Sequence, residues 1–194
     1  MTSSDQWIKI DIDKELLAEA NSNVKKYNLF NLFGGAYAQK LAGEVGRLAL
    51  RKYLTDNKIE FSGDTHIGSK DEYDFIINNK NISLKTQLVN YSPSERWRCE
   101  VNEKQLENPC DYHLFIKAFL KDNLIWIVGC IKKSRFDREG ILRKKGDIMK
   151  DNFTEWEVKE TKKDISITEL EGVEVLLEFK QINPKKNEKS SRKF

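Results

Sequence analysis

The stretch "YDFIINNKNISLKTQ", Tyr73 to Gln87, decides how this chain is read. Two apolar runs flank a turn-forming Asn-Asn-Lys-Asn, which predicts a β-hairpin. Side chains alternate between the two faces of a strand. Tyr73, Phe75 and Ile77 therefore share one face of the first strand, with Asp74 and Ile76 on the other. On the second strand Ile82 and Leu84 oppose Ser83, Lys85 and Gln87. A turn over Asn78 to Asn81 pairs Ile77 with Ile82, Ile76 with Ser83 and Asp74 with Lys85. One face then packs, and the other collects Asp74, Ser83, Lys85 and Gln87. On a wet surface such an Asp–Lys pair would stabilise the fold by a few tenths of a kcal/mol at most. Inside a covered sheet a charge pair is costly and calls for a function.

The sequence around the hairpin favours the covered sheet. "YHLFIKAFL" and "LIWIVGCIKK" read as two strongly apolar strands joined by a turn at Lys121-Asp122-Asn123. Upstream, Ala36 to Leu54 reads as a helix, because Leu41, Val45, Leu48 and Ala49 recur at helical spacing. Gly43 and Gly46 inside it point to close approach of another backbone. "WIKIDIDKELLAEANSNVKKYN" reads as a short strand and a helix capped by Asp11 or Asp13. "NEKQLEN" reads as a short helix with an Asn102–Gln105 capping box. "NLFNLFGG" reads as an apolar connector, and "SRFDREGILRKKGDIMKDN" as a basic loop. "ITELEGVEVLLEF" fits either a helix or a strand. These pieces give an α/β domain with a mixed central sheet flanked by helices.

The 194 residues fit one domain over 1–182, with an N-terminal extension to about residue 35, a core over 36–182 and a basic tail over 183–194. A net charge of +3 excludes neither a nucleic-acid partner nor any other, because local distribution decides. Cys99, Cys110 and Cys130 form no C-x-x-C pair, which argues against a zinc knuckle or a disulfide framework. Two histidines, His66 and His113, supply little for a histidine-based metal site. No apolar run reaches membrane-spanning length, so a cytoplasmic protein without a membrane partner is expected.

Glu44 completes the constellation. At 100° per residue it lies between the apolar stripe of Leu41 and Leu48 and a basic stripe of Lys40, Arg47 and Arg51. It can pair with Arg47 and Lys40 on the surface, or serve as a carboxylate at the rim of the core. The "GE-x-G" helix, the "YDF" strand and the "ISLKTQ" strand together resemble the PD-(D/E)XK nuclease superfamily, with its restriction-endonuclease-like fold. The resemblance spans about Ala36 to Lys132. It implies that Asp74 and Glu44 hold Mg²⁺, for which Mn²⁺ can substitute. It also implies that Lys85 acts on the attacking water or the transition state, with Ser83 and Gln87 beside it. Ser83 departs from the pattern, which has an acid there. Three readings follow: the second acid has migrated to Glu100, with Glu95 next; Asp74 and Glu44 suffice; or the site is inactive.

The resemblance implies a Mg²⁺-dependent DNA endonuclease of restriction or homing type. The alternatives are a junction resolvase or repair nuclease, an inactive nucleic-acid-binding relative, or an interaction protein whose hairpin charges are mere surface. Duplex DNA is the expected partner, cut by a homodimer because two strands need two sites. Candidate backbone contacts are Arg96 and Arg98 around Trp97, and Lys132, Lys133, Arg135, Arg143, Lys144 and Lys145 in the basic segment.

Overall fold

Asn78 and Asn79 fix the hairpin. Both have positive φ, 48° and 60°, the pair of left-handed residues that a two-residue turn matched to strand twist requires. In the computed structural model, which describes residues 7–26, 37–64, 73–150 and 155–177, β3 (Phe75–Ile77) and β4 (Lys80–Leu88) pair Phe75 with Ile82, Ile76 with Asn81 and Ile77 with Lys80. The turn is thus two residues rather than four. The predicted pairing of Ile77 with Ile82 shifts, and Asp74 comes level with Ser83 instead of Lys85. The connector over 28–35 and the tail over 183–194 lie outside the described residues.

The apolar strands are β6 (Tyr112–Phe119) and β7 (Leu124–Lys132). Every residue of β6 is buried, as expected of a strand covered on both faces. Asn123, at φ 54°, turns the chain between them. With β1 (Ile8–Asp11) and β2 (Phe61–Ser62) they form a six-stranded sheet in the order β1-β7-β6-β4-β3-β2. β4 and β6 run parallel, and every other neighbouring pair is antiparallel.

Two helices cover one face, α1 (Lys14–Lys26) and α2 (Tyr37–Asp56). Asp13 caps α1 by accepting the Leu16 amide at 2.8 Å. Val45, Leu48 and Ala49 of α2 pack with Ile82, Leu114, Ile116 and Ile127. β1 joins the main sheet and α1 lies on α2, so residues 8–26 pack with the core that follows them. Helices do not flank the other face in the same way. A three-stranded sheet covers it, β5 (Arg98–Asn102), β11 (Lys162–Ser166) and β8 (Ile141–Arg143), together with α4 (Lys133–Glu139). Phe115, Val128 and Ile131 meet Cys99, Val101, Phe136 and Ile165 there. Between β5 and β6 lies α3 (Glu103–Leu106), whose Asn102 makes no side-chain cap. A ribbon of β9 (Ile148–Lys150) and β10 (Glu155–Glu157) stands apart from both sheets. The segment read as a basic loop is therefore a helix and two strands. The late apolar segment forms two 3₁₀ turns, Ile167–Glu169 and Val173–Leu176.

Gly46 is where α2 meets the sheet. A Cβ there would lie 2.2 Å from Thr86 Oγ1 and 2.9 Å from Thr86 Cγ2. Gly46→Ala should cost about 1–3 kcal/mol by overpacking, although alanine is the better helix former. The double variant Gly46→Ala/Thr86→Ala removes the clash and a buried hydroxyl with no hydrogen bond. It should recover most of that loss in chemical denaturation. Additive losses in the double variant would show that the close approach is not what selects glycine.

Candidate active site

The site arises where the hairpin stops pairing. β3 has three residues and β4 nine, so from Ser83 onward the β4 edge opposite β6 has no partner strand among the described residues. A buried backbone amide needs an acceptor, and the Asp74 carboxylate provides one. Asp74 Oδ2 accepts the Leu84 amide at 2.7 Å, while the Asp74 amide donates to the Ile82 carbonyl at 2.9 Å. The aspartate thus caps the end of the ladder and is held at the mouth of a cleft.

The cleft has a volume of about 870 Å³. Gln39, Lys40, Gly43 and Arg47 of α2 form one wall, and β4 from Ser83 to Leu88 forms the floor. The opposite wall is Glu100 and Asn102 of β5 with Lys162 of β11, overhung by Trp156 to Glu160. Asp74, Ser83, Lys85 and Gln87 all line it, so the residues predicted to share one face do share one site. Lys85 is only 8 % exposed. Burial pushes its pKa down, opposed by the Asp74 charge. Burial likewise raises the Asp74 pKa, opposed by Lys85, the Leu84 amide and Arg47. Each group therefore depends on the other to stay ionised.

Glu44 is not brought to this cleft. It is fully buried, where it accepts hydrogen bonds from Asn23 Nδ2 at 2.7 Å and from Arg47 at 2.6 and 3.1 Å. Arg47 also binds Asp64. Burial works against the Arg47 charge, but Glu44 and Asp64 outweigh it and raise the pKa. Glu44 braces α1 against α2. Glu100 does line the cleft, and Lys162 holds it at 2.6 Å. Among the described residues, no three His, Cys, Asp or Glu side chains are grouped to hold a metal ion. Mg²⁺ commonly uses one or two carboxylates, with water and substrate phosphate completing its shell. Asp74 and Glu100 both line the cleft, and these two carboxylates are of the type that such a sparser shell uses.

Of the predicted backbone contacts, Arg96, Arg98 and Arg143 line a second cleft that continues the first. Arg98 and Arg143 both bind the buried carboxylate of Asp164. The others lie elsewhere. Lys132 precedes α4, Lys133 pairs with Asp137, and Arg135 is held by Glu139, Glu169 and Glu171. Lys144 and Lys145 are exposed and line neither cleft. Sequence reasoning missed Lys162 and Trp156. Both sit on short, charge-rich strands, "EWE" and "KKDIS", that carry little periodic signal.

Behind Ser83, in the parallel register, sits His113. It is fully buried and edge-on to Phe136, with ring centres 5.1 Å apart. Burial, then the Lys85 and Lys133 charges, push its pKa down to about 3. As pH falls below about 6.5, the unfolded chain takes up a proton that the folded chain refuses, so stability falls. At about pH 5 the loss relative to neutral pH should reach about 2 kcal/mol. His113→Phe should flatten the fall in Tm over that interval. An equal fall in both proteins would mean that His113 is protonated in the fold.

No helix among the described residues is long and apolar enough to cross a membrane. Compared with family models, curated proteins and solved structures, the chain matches none of them.

Proposed function

We propose that the cleft is the active site of a divalent-metal-dependent DNA nuclease of the PD-(D/E)XK type. The observation that carries this reading is the convergence of a half-buried Asp74 and a buried Lys85, opposite charges that packing alone would not favour, on one open cleft. The sheet supports it. β2-β3-β4-β6-β7 run in consecutive order, with one parallel pair and a preceding helix, and this is the arrangement expected of a restriction-endonuclease-like core.

Asp74 and Glu100 would hold the ion, which when bound neutralises phosphate oxygens and lowers the pKa of water. The protein's own residues do the positioning. Asp74 is positioned by the hydrogen bond it accepts from the Leu84 amide. Lys85 presents its ammonium group from the floor, where an arriving phosphate restores the charge that burial disfavours. That charge is most valuable as the pentavalent phosphorus gains negative charge. Lys162 holds Glu100 in place until substrate arrives. Cutting both strands of a duplex would require a second copy of the chain.

Ser83 favours a second reading, a nucleic-acid-binding protein that has lost cleavage, because its hydroxyl offers a cation no charge. Metal-dependent cleavage by the wild-type protein separates the two, and the Glu100→Ala variant tests the part of Glu100. If Glu100 is the migrated acid, the substitution should slow metal-dependent cleavage at least ten-fold, or roughly 1.4 kcal/mol. It should leave DNA binding intact, because it removes an anion from the site. Cleavage unchanged in Glu100→Ala would remove Glu100 from the site.

A further inference from the structure

We infer that the groove adjoining the cleft binds an unpaired nucleic-acid strand, stacking its bases on Tyr91, Trp97 and Trp156. The groove has a volume of about 780 Å³ and shares Gln87, Leu88, Glu100, Trp156 and Lys162 with the cleft, so one strand can occupy both. Tyr91 is 65 % exposed and Trp156 45 % exposed. Leaving large aromatic faces in water forgoes their burial, and such faces in a groove suit a flat ligand. Tyr91 meets Trp97 edge-to-face, with ring centres 5.3 Å apart. Lys117 lies 5.3 Å from the centre of the Trp97 ring, is itself 1 % exposed and donates to the Arg98 carbonyl at 2.7 Å and to Gln87. The Trp97 indole is therefore braced by Lys117 and by Tyr91.

Charge selects the ligand. The groove carries six cationic side chains against the carboxylates of Glu100 and Asp164. In the cleft five cations face four carboxylates. An anionic polymer is thus drawn to the groove, and its phosphates meet Arg96, Arg143 and Lys150. A duplex hides its base faces in its own stack and offers only edges, whereas an unpaired strand offers the faces that aromatic rings hold. The occupant of the groove stands on its own chemistry. That the same strand reaches Asp74 and Lys85 rests on the nuclease reading.

The test is binding of fluorescein-labelled oligothymidine, and of a blunt duplex of equal length, to the full chain in EDTA. The single strand should bind at least ten-fold tighter and quench tryptophan emission. Tyr91→Ala and Trp156→Ala should each weaken single-strand binding by roughly ten-fold, and Tyr91→Ala, outside the cleft, should leave duplex binding unchanged. Arg96→Ala/Lys150→Ala should flatten the salt dependence for the single strand. Equal or tighter binding of the duplex, absence of binding, or unchanged affinity in the aromatic variants would overturn the inference. The readout needs no cleavage. Oligothymidine bound through the aromatics, with neither single-stranded nor duplex DNA cut in Mg²⁺ or Mn²⁺, would support this inference and sink the nuclease reading. Cleavage of duplex without single-strand preference would do the reverse.

Discussion

Asp74→Asn should lower divalent-dependent cleavage by at least roughly 10³-fold, the largest effect expected of any single substitution here. The asparagine oxygen can still accept the Leu84 amide, so the end of the ladder keeps its cap. The charge alone is lost. A hard cation then lacks its principal anion, and Lys85 loses the partner that supports its ionised form. Binding of DNA should hold or tighten, because an anion beside phosphate has gone. Stability should drop by up to about 3 kcal/mol through the unpaired lysine. That loss should shrink as pH rises. The folded pKa of Lys85 is depressed, so the unfolded chain binds more protons between the two values and stability climbs with pH there. Parallel measurements of cleavage rate, oligonucleotide affinity and Tm would test each part. Full activity in Asp74→Asn would end the assignment.

Lys85→Ala should cost roughly 10²–10³-fold in kcat with little change in affinity, because the ammonium is asked to act on the transition state. It carries a second consequence. Lys85 is the strongest influence holding the Asp74 pKa down against burial. Without it the carboxyl stays protonated to higher pH, and the acid limb of the pH–rate profile should move upward. Lys85→Arg, which keeps the charge, should restore that limb even where it fails to restore the rate. A Lys85→Ala protein that cut normally but bound weakly would make the lysine a phosphate anchor instead.

The apolar runs made β6 and β7 legible, and helical spacing did the same for α2, because buried elements leave periodic signals in sequence. Gly46 also signalled its close contact, which the structure traces to Thr86. The hairpin register was not legible. Four turn residues allow several pairings, and only the left-handed conformations of Asn78 and Asn79 choose one. The site survived that error because Asp74 bends to the Leu84 amide at the ladder's end. Glu44 misled for a different reason. Its position on α2 is at the stripe border, and nothing local reveals that Asn23 of α1 covers it. The second sheet escaped notice because its strands, of three to five residues, carry charges that pair across the sheet, as Glu100 does with Lys162.

The central claim is that Asp74 and Lys85 form a metal-dependent phosphodiesterase site. Its most direct test follows labelled single-stranded and duplex DNA with wild-type protein in Mg²⁺, in Mn²⁺ and in EDTA, beside Asp74→Asn under the same conditions. The account predicts cleavage products with either cation, none in EDTA and none from the variant. DNA left intact by the wild-type protein with both cations, or cut equally well by Asp74→Asn, would contradict it.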